Sequence, residues 1–172
     1  MELLIAEDVP VAPLRTTFRA YPGLNDLSNS IFYEGALVSG TPVENRCLLL
    51  ERITFPNPSL PFLFIDVPGT PVWSTNGSHS NELEASTSCE LVTAPLSKNI
   101  PPKSVAIITF YKEQLRVVER VAGHHQIYLH TVDSVQGRER DIVILLTTRT
   151  SIQVDRAEFL DEPIHLNVNV VR

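Results

Sequence analysis

The chain has 172 residues, of which 43% are hydrophobic and 20% charged, with a formal net charge of −6. That length and balance suit one globular domain with a substantial core, and the acidic excess argues against a broad basic face. Met1 to Leu14, with Glu2, Glu7 and Asp8 and no long apolar core, is neither a signal peptide nor a membrane span, and Cys47 and Cys89 form no ligand-spaced cluster, which fits a reducing compartment without structural zinc.

In chain order, the spacing of Leu24, Leu27, Ile31 and Phe32 predicts a first helix from Pro22 to about Tyr33, with the proline well placed near its start. Ser39 to Pro61 is rich in proline and polar residues and reads as a long connection. Phe62 to Val67 is a short, continuously apolar stretch ended by Pro68-Gly69, which predicts a strand. Residues 68 to 81 carry glycine, serine, threonine and asparagine and read as a mobile loop. Asn81, with Glu84 three residues on, has the form of a helix cap with its reciprocal carboxylate, opening a helix to about Thr93. After the break at Pro101-Pro102, Val105 to Thr109 predicts a second core strand. It leads into a helix whose apolar stripe is Tyr111, Leu115, Val118 and Ala122. Tyr128 to Thr131 and Ile142 to Thr147 predict two further strands. Repeated β–α units with continuous apolar strands imply an α/β fold with a parallel sheet covered on both faces.

The most informative segment is Thr131 to Asp141 followed by Ile142 to Leu146. It packs hydroxyls, a carboxamide, a glycine and alternating charges into a polar loop that feeds an interior strand, an arrangement that presents ligand-binding groups at a sheet edge. Basic residues cluster at Lys112, Arg116 and Arg120, and again at Arg138, Arg140 and Arg149. Two other patterns carry less. Asp66-Val67-Pro68-Gly69 resembles a GTPase switch turn, and Gly35 and Gly40 have phosphate-loop spacing. However, Thr41 follows Gly40 where a lysine is needed, and no Gly-Lys pair exists in the chain, so a GTPase reading fails. No Ser/His/Asp or Cys/His constellation stands out.

Taken together, several ordered segments resemble superfamily 1 helicases, in particular the subgroup of the nonsense-mediated-decay helicase and senataxin. Phe18-Arg19-Ala20-Tyr21-Pro22 and Asn29 to Gly35 are similar to its Tyr-Arg…Pro…Phe-Tyr-x-Gly segment. Ser80 to Ala85 is similar to its Asn-x-x-Glu-Ala helix start, and Ile107 to Gln114 to its Ile-Thr-Pro-Tyr-x-x-Gln motif. Thr131 to Asp141 matches Thr-Val-Asp-Ser-Phe-Gln-Gly-Arg-Glu-x-Asp at nearly every position. Leu166-Asn167-Val168 resembles part of its Arg-Leu-Asn-Val-Ala-Leu-Thr-Arg motif. The departures are Phe110 for the motif proline, Ile164-His165 for two arginines, Asn169 for alanine and Val171 for threonine.

The resemblance implies a RecA-like three-layer sandwich of the P-loop NTPase superfamily, and specifically its second domain. Residues 1–13 would be the remnant of a preceding segment, and 14–172 the C-terminal RecA-like domain, cut short at its C-terminus. It implies that Phe18 stacks on adenine and that Arg19 reaches the γ-phosphate, a task suited to a guanidinium spanning two oxygens; a surface ion pair is the plainer reading of Arg19. Glu139 would meet the nucleotide, with Gly137 letting the backbone approach, and Gln136 would orient the loop or touch the nucleotide. Arg172 aligns with the arginine finger. Thr109, Tyr111 and Thr131 align with contacts to the nucleic-acid backbone, although Tyr111 reads equally as core packing on its helix. The expected ligands are ATP with Mg²⁺, the metal being held by a first RecA-like domain, and single-stranded RNA or DNA. The expected setting is intracellular, cytoplasmic or nuclear, with no membrane. No metal-ligating set is expected in this chain, and without a phosphate loop the chain is expected not to hydrolyse ATP alone. The alternative is a non-catalytic binding module derived from a degenerate helicase domain.

Overall fold

The structure, a computed structural model, describes residues 12–122, 125–135 and 137–150. The elements run in the order β1 (Thr16–Thr17), α1 (Asp26–Phe32), β2 (Val38–Ser39), a 3-10 turn at Val43–Asn45, α2 (Leu48–Arg52), β3 (Val72–Trp73), β4 (His79–Ser80), α3 (Glu82–Ser97), β5 (Val105–Thr109), α4 (Lys112–Ala122), β6 (Tyr128–Thr131) and β7 (Ile142–Leu146). The fold is mixed α/β. Its main sheet has the order β6-β5-β7 and is parallel throughout, with Thr109 opposite both Thr131 and Leu146. Two small ribbons accompany it, β1 with β2 in parallel and β3 with β4 antiparallel.

β5 lies at the centre of the sheet, and all five of its residues are buried, as an interior strand of a parallel sheet requires. Its side chains alternate between two cores. Val105 and Ile107, with Ile142 and Leu146 of β7, pack against Ala85, Cys89 and Val92 of α3 and Val117, Val118 and Ala122 of α4. Ile108 turns to the opposite face, where Val132, Val135, Phe110, Val143 and Leu145 gather.

A buried polar network joins the beginnings of α3 and α4 to the end of β7. Asn81 caps α3 as expected, its Oδ1 accepting from the Glu84 N–H at 3.1 Å. The reciprocal bond takes a different form, however. The Asn81 N–H donates to Gln114 Oε1 at 2.7 Å, and Gln114 Nε2 donates to the Asn81 carbonyl at 3.1 Å and to Glu84 Oε2 at 2.9 Å. The Thr148 N–H donates to Glu84 Oε1 at 2.9 Å. Glu84 is only 9% exposed, and burial pushes its carboxyl above the usual carboxylate range, against the lowering effect of its bonds to Thr148. The two motif fragments Asn-x-x-Glu and Tyr-x-x-Gln therefore meet in one knot.

The sequence expectations fail in six places. Phe62 to Val67 forms no strand: Phe64 is 78% exposed, and no neighbour among the described residues pairs with this backbone. An apolar run supplies the side chains of a strand, but a strand also needs a hydrogen-bonding partner. The connection before it contains α2, whose Leu48 and Leu49 pack on the core. Residues 72 to 80 are a hairpin rather than a structureless loop, turned through Gly77 in the left-handed region. α1 is shorter than predicted and leaves Leu27 and Ile31 exposed. The buried stripe of α4 is Gln114, Val117, Val118 and Ala122, because the network draws Gln114 inward where the apolar reading placed Leu115. α3, for its part, extends to Ser97, beyond Thr93.

Candidate nucleotide and nucleic-acid sites

The expected site residues that the structure describes fall at opposite edges of the parallel sheet. The segment after Thr131 starts at the carboxyl edge, makes a 3-10 turn over Val132–Ser134, and descends to the amino edge before β7 begins. Gly137 has φ +77 with open space around it, so glycine is needed there for the left-handed backbone rather than for room. The turn delivers Glu139 to the amino edge beside Lys103 and Ser104, the residues that precede β5.

There, Arg19 Nε donates to Glu139 Oε1 at 2.8 Å, across 120 residues of sequence. Both side chains are about half exposed, at 44% and 54%. Phe18, next to Arg19, is 68% exposed and lies over Gly40, where a β-carbon would run into its ring. A small residue at that point lets the aromatic lie flat while its outer face stays open. A cavity of about 290 Å³ adjoins the pair, lined by Arg46, Lys103, Ser104, Glu139, Arg140 and Asp141. Arg140 stacks over the Tyr128 ring at 3.6 Å from its centroid, and Arg138 approaches His130 Nε2 at 3.4 Å. Burial, with the charges of Arg138 and Arg140, holds the His130 imidazole below its usual range. Three cations and a hydroxyl stand in the cavity against the carboxylates of Glu139 and Asp141, a lining with donors that can meet phosphate oxygens. Among the described residues no group of three or more His, Cys, Asp or Glu is placed to hold a metal ion.

At the carboxyl edge, Thr109 is fully buried and its Oγ1 accepts from the Tyr111 N–H at 3.2 Å. Thr131 is 8% exposed, and its hydroxyl is engaged with Ser134 at 3.2 Å in a local capping box. In this structure both hydroxyls are occupied within the protein and hold turns rather than face solvent. Tyr111 is half-buried, edge-to-face with His79 at 5.2 Å, and lines a cavity of about 390 Å³ with Lys112, Arg116 and the hairpin tip. Tyr111 is thus neither plain core nor fully free. Gln136 and Arg172 lie outside the described residues, as does the segment from Ile164 to Arg172.

Sequence reasoning missed Arg46, Lys103 and Ser104, which reach the cavity from distant segments with no motif to mark them. It also missed Trp73, whose signal was available: an Asn-Gly turn between two short extended pairs.

The profile of an AAA domain family, AAA_12, matches residues 1–172. Similar curated proteins include an uncharacterized ATP-dependent helicase of Caenorhabditis elegans, 30% identical over all of this chain and 11% of that protein. Others are a regulator of nonsense transcripts 1 homolog of Arabidopsis thaliana, 29% identical over 99% of this chain and 14% of that protein, and the ATP-dependent helicase NAM7 of Saccharomyces cerevisiae, 28% identical over 95% and 18%. The chain spans less than a fifth of the length of these relatives. No helix among the described residues is long and apolar enough to cross a membrane. With its whole length matched by the profile and with a parallel-sheet α/β fold of the RecA-like, P-loop NTPase kind, the chain belongs to the AAA_12 family of AAA domains.

Proposed function

We propose that this chain is the second, C-terminal RecA-like domain of an ATP-dependent helicase of the nonsense-mediated-decay and senataxin type, acting on single-stranded RNA or DNA within the cell. One observation carries the reading: β1 and the loop before β7 bring Arg19 within 2.8 Å of Glu139 beside an exposed Phe18. Phe18 offers its open face to adenine. Arg19 exchanges the Glu139 carboxylate for phosphate oxygens, and an exposed ion pair worth about 0.2–1 kcal/mol is easily exchanged. Its guanidinium then stabilises charge on the transferring group. Glu139, released from Arg19, accepts from the nucleotide, and Gly137 fixes the turn that aims it. Gln136 and Arg172 are assigned to the same site from the motif match alone. Mg²⁺ bound with ATP would neutralise phosphate charge, and its carboxylate ligands are assigned to a first RecA-like domain, which is also the proposed partner. Tyr111, held by Thr109, and the turn capped by Thr131 form the strand-gripping edge.

The test pairs this chain with a phosphate-loop domain. The 172-residue chain alone is expected to give no sustained ATP turnover, and the joined protein is expected to hydrolyse ATP when single strands are present. Sustained turnover by the chain alone, unchanged in Arg19→Ala, would overturn the reading. Failure of the joined protein to turn over would favour a non-catalytic binding module.

A further inference from the structure

The β3–β4 hairpin carries an aromatic series that no motif explains. Trp73 meets the His79 ring edge-to-face at 4.6 Å, and His79 meets Tyr111 in the same way at 5.2 Å. Trp73 is 63% exposed although it is a large aromatic, so its position is not set by burial. The hairpin is fixed rather than loose. The Ser74 N–H donates to the Ser78 carbonyl at 2.9 Å, and Ser78 Oγ accepts from the Glu113 N–H at 3.3 Å, tying the turn to the first residues of α4. Beside it, the 390 Å³ cavity is lined by Asn76 and Ser78 from the hairpin and by Tyr111, Lys112, Glu113 and Arg116 from α4. Two cations stand there against a single carboxylate, Glu113, which pairs with Arg116 at 2.9 Å; burial, and then the charge of Arg149, holds the His79 imidazole below its usual range. In a chain of net charge −6, this is a locally positive, aromatic-lined groove.

We propose that the β3–β4 hairpin is a stacking arm for single-stranded nucleic acid, with Trp73 receiving a base one step beyond Tyr111 and Lys112 and Arg116 facing the phosphates. Aromatic faces interleaved with cations suit a polyanion whose bases stack, and they hold it without reading sequence. An apolar protein partner would ask for a contiguous hydrophobic patch, whereas Asn76, Ser78 and charged side chains line this groove. The inference rests on the nucleic-acid reading of the carboxyl edge and extends it to a segment outside the helicase motifs.

Trp73 is the only tryptophan in the chain, so its fluorescence reports on this arm alone. The experiment titrates the 172-residue chain with a labelled oligothymidylate or oligouridylate of about 12 nucleotides at fixed low salt. Tryptophan emission is expected to be quenched in step with the anisotropy of the labelled strand. Trp73→Ala is expected to weaken binding roughly ten-fold and Trp73→Phe much less. Lys112→Ala should lower the salt slope by about one. Circular dichroism of each variant verifies the fold. If the chain binds the strand while Trp73→Ala keeps full affinity and emission stays constant, the hairpin lies off the strand's path and the inference is overturned; Tyr111→Ala would still test the carboxyl edge. If the chain binds no strand at all, the nucleic-acid reading falls together with the inference.

Discussion

The two edges of the parallel sheet are built on different plans. At the amino edge, Arg19, Glu139 and Phe18 are exposed, and their main internal interaction is one half-exposed ion pair. At the carboxyl edge, Thr109 and Thr131 are buried with their hydroxyls already engaged, and what faces outward is Tyr111 and the hairpin aromatics. The exposed pair at one edge can exchange partners at little cost, whereas the hydroxyls at the other are satisfied internally and hold their turns in shape. β5 separates the edges by about 13 Å, so one ligand at each edge leaves them out of contact. Two covalent routes join them: β5 itself, which runs from Ser104 in the cavity to Thr109, and the loop after β6, which begins beside Thr109 and reaches the same cavity at Glu139 to Asp141.

Substitutions can break or sharpen this contrast. The largest effect is expected from Arg19→Ala in a protein that unites the chain with a phosphate-loop domain. ATP turnover should fall by roughly a hundred-fold or more, with strand affinity little changed; a parallel loss of strand binding would show that the edges are not separate. Next is Glu84→Ala, which strips the acceptor from the Thr148 N–H and the Gln114 amide. Urea unfolding should show a loss of about 2–3 kcal/mol, since each buried donor left alone costs about 1–3 kcal/mol.

A pH titration compares the hairpin with the basic loop before β7, because each faces a histidine held below its ordinary pKa of 6.5. His79, at the carboxyl edge, is lowered first by burial and then by Arg149; His130 is lowered by burial and then by Arg138 and Arg140. In both cases the unfolded chain takes up the proton at higher pH than the folded one. Their contribution to stability is therefore complete above about 6.5 and is lost as pH falls through the folded values. Proton NMR should show both rings titrating below 6.5, and a ring titrating at or above it would show that its surroundings do not bury it as described. The smallest effect is expected from Glu139→Ala. Loss of an exposed pair should change stability by less than about 1 kcal/mol in thermal unfolding, consistent with a positioning rather than a stabilising contact.

The sequence was most legible where local chemistry and burial agree. The strands β5, β6 and β7 followed from apolar runs bounded by polar turns, and the start of α3 followed from Asn81 and Glu84. Phe62 to Val67 misled because its composition is that of a strand, while pairing depends on a neighbour that composition does not reveal. Gln114 misled in the opposite sense: a polar side chain on a helix reads as solvated until Asn81 and Glu84 are placed beside it. At the site, the motif match singled out Arg19 and Glu139, and the fold brought them together. Lys103 and Arg46 arrive by tertiary folding alone, so no local pattern pointed to them.

The carboxamide of Gln114 bonds to residues 30 and 33 positions before it, and Glu84 reaches 64 positions ahead to Thr148. Three chain termini of secondary structure thus share one set of donors and acceptors. None can fray without orphaning polar atoms on the other two, so amide exchange at Asn81 and Thr148 should slow to a common rate. A domain fastened in this way opens as a unit rather than fraying from one end.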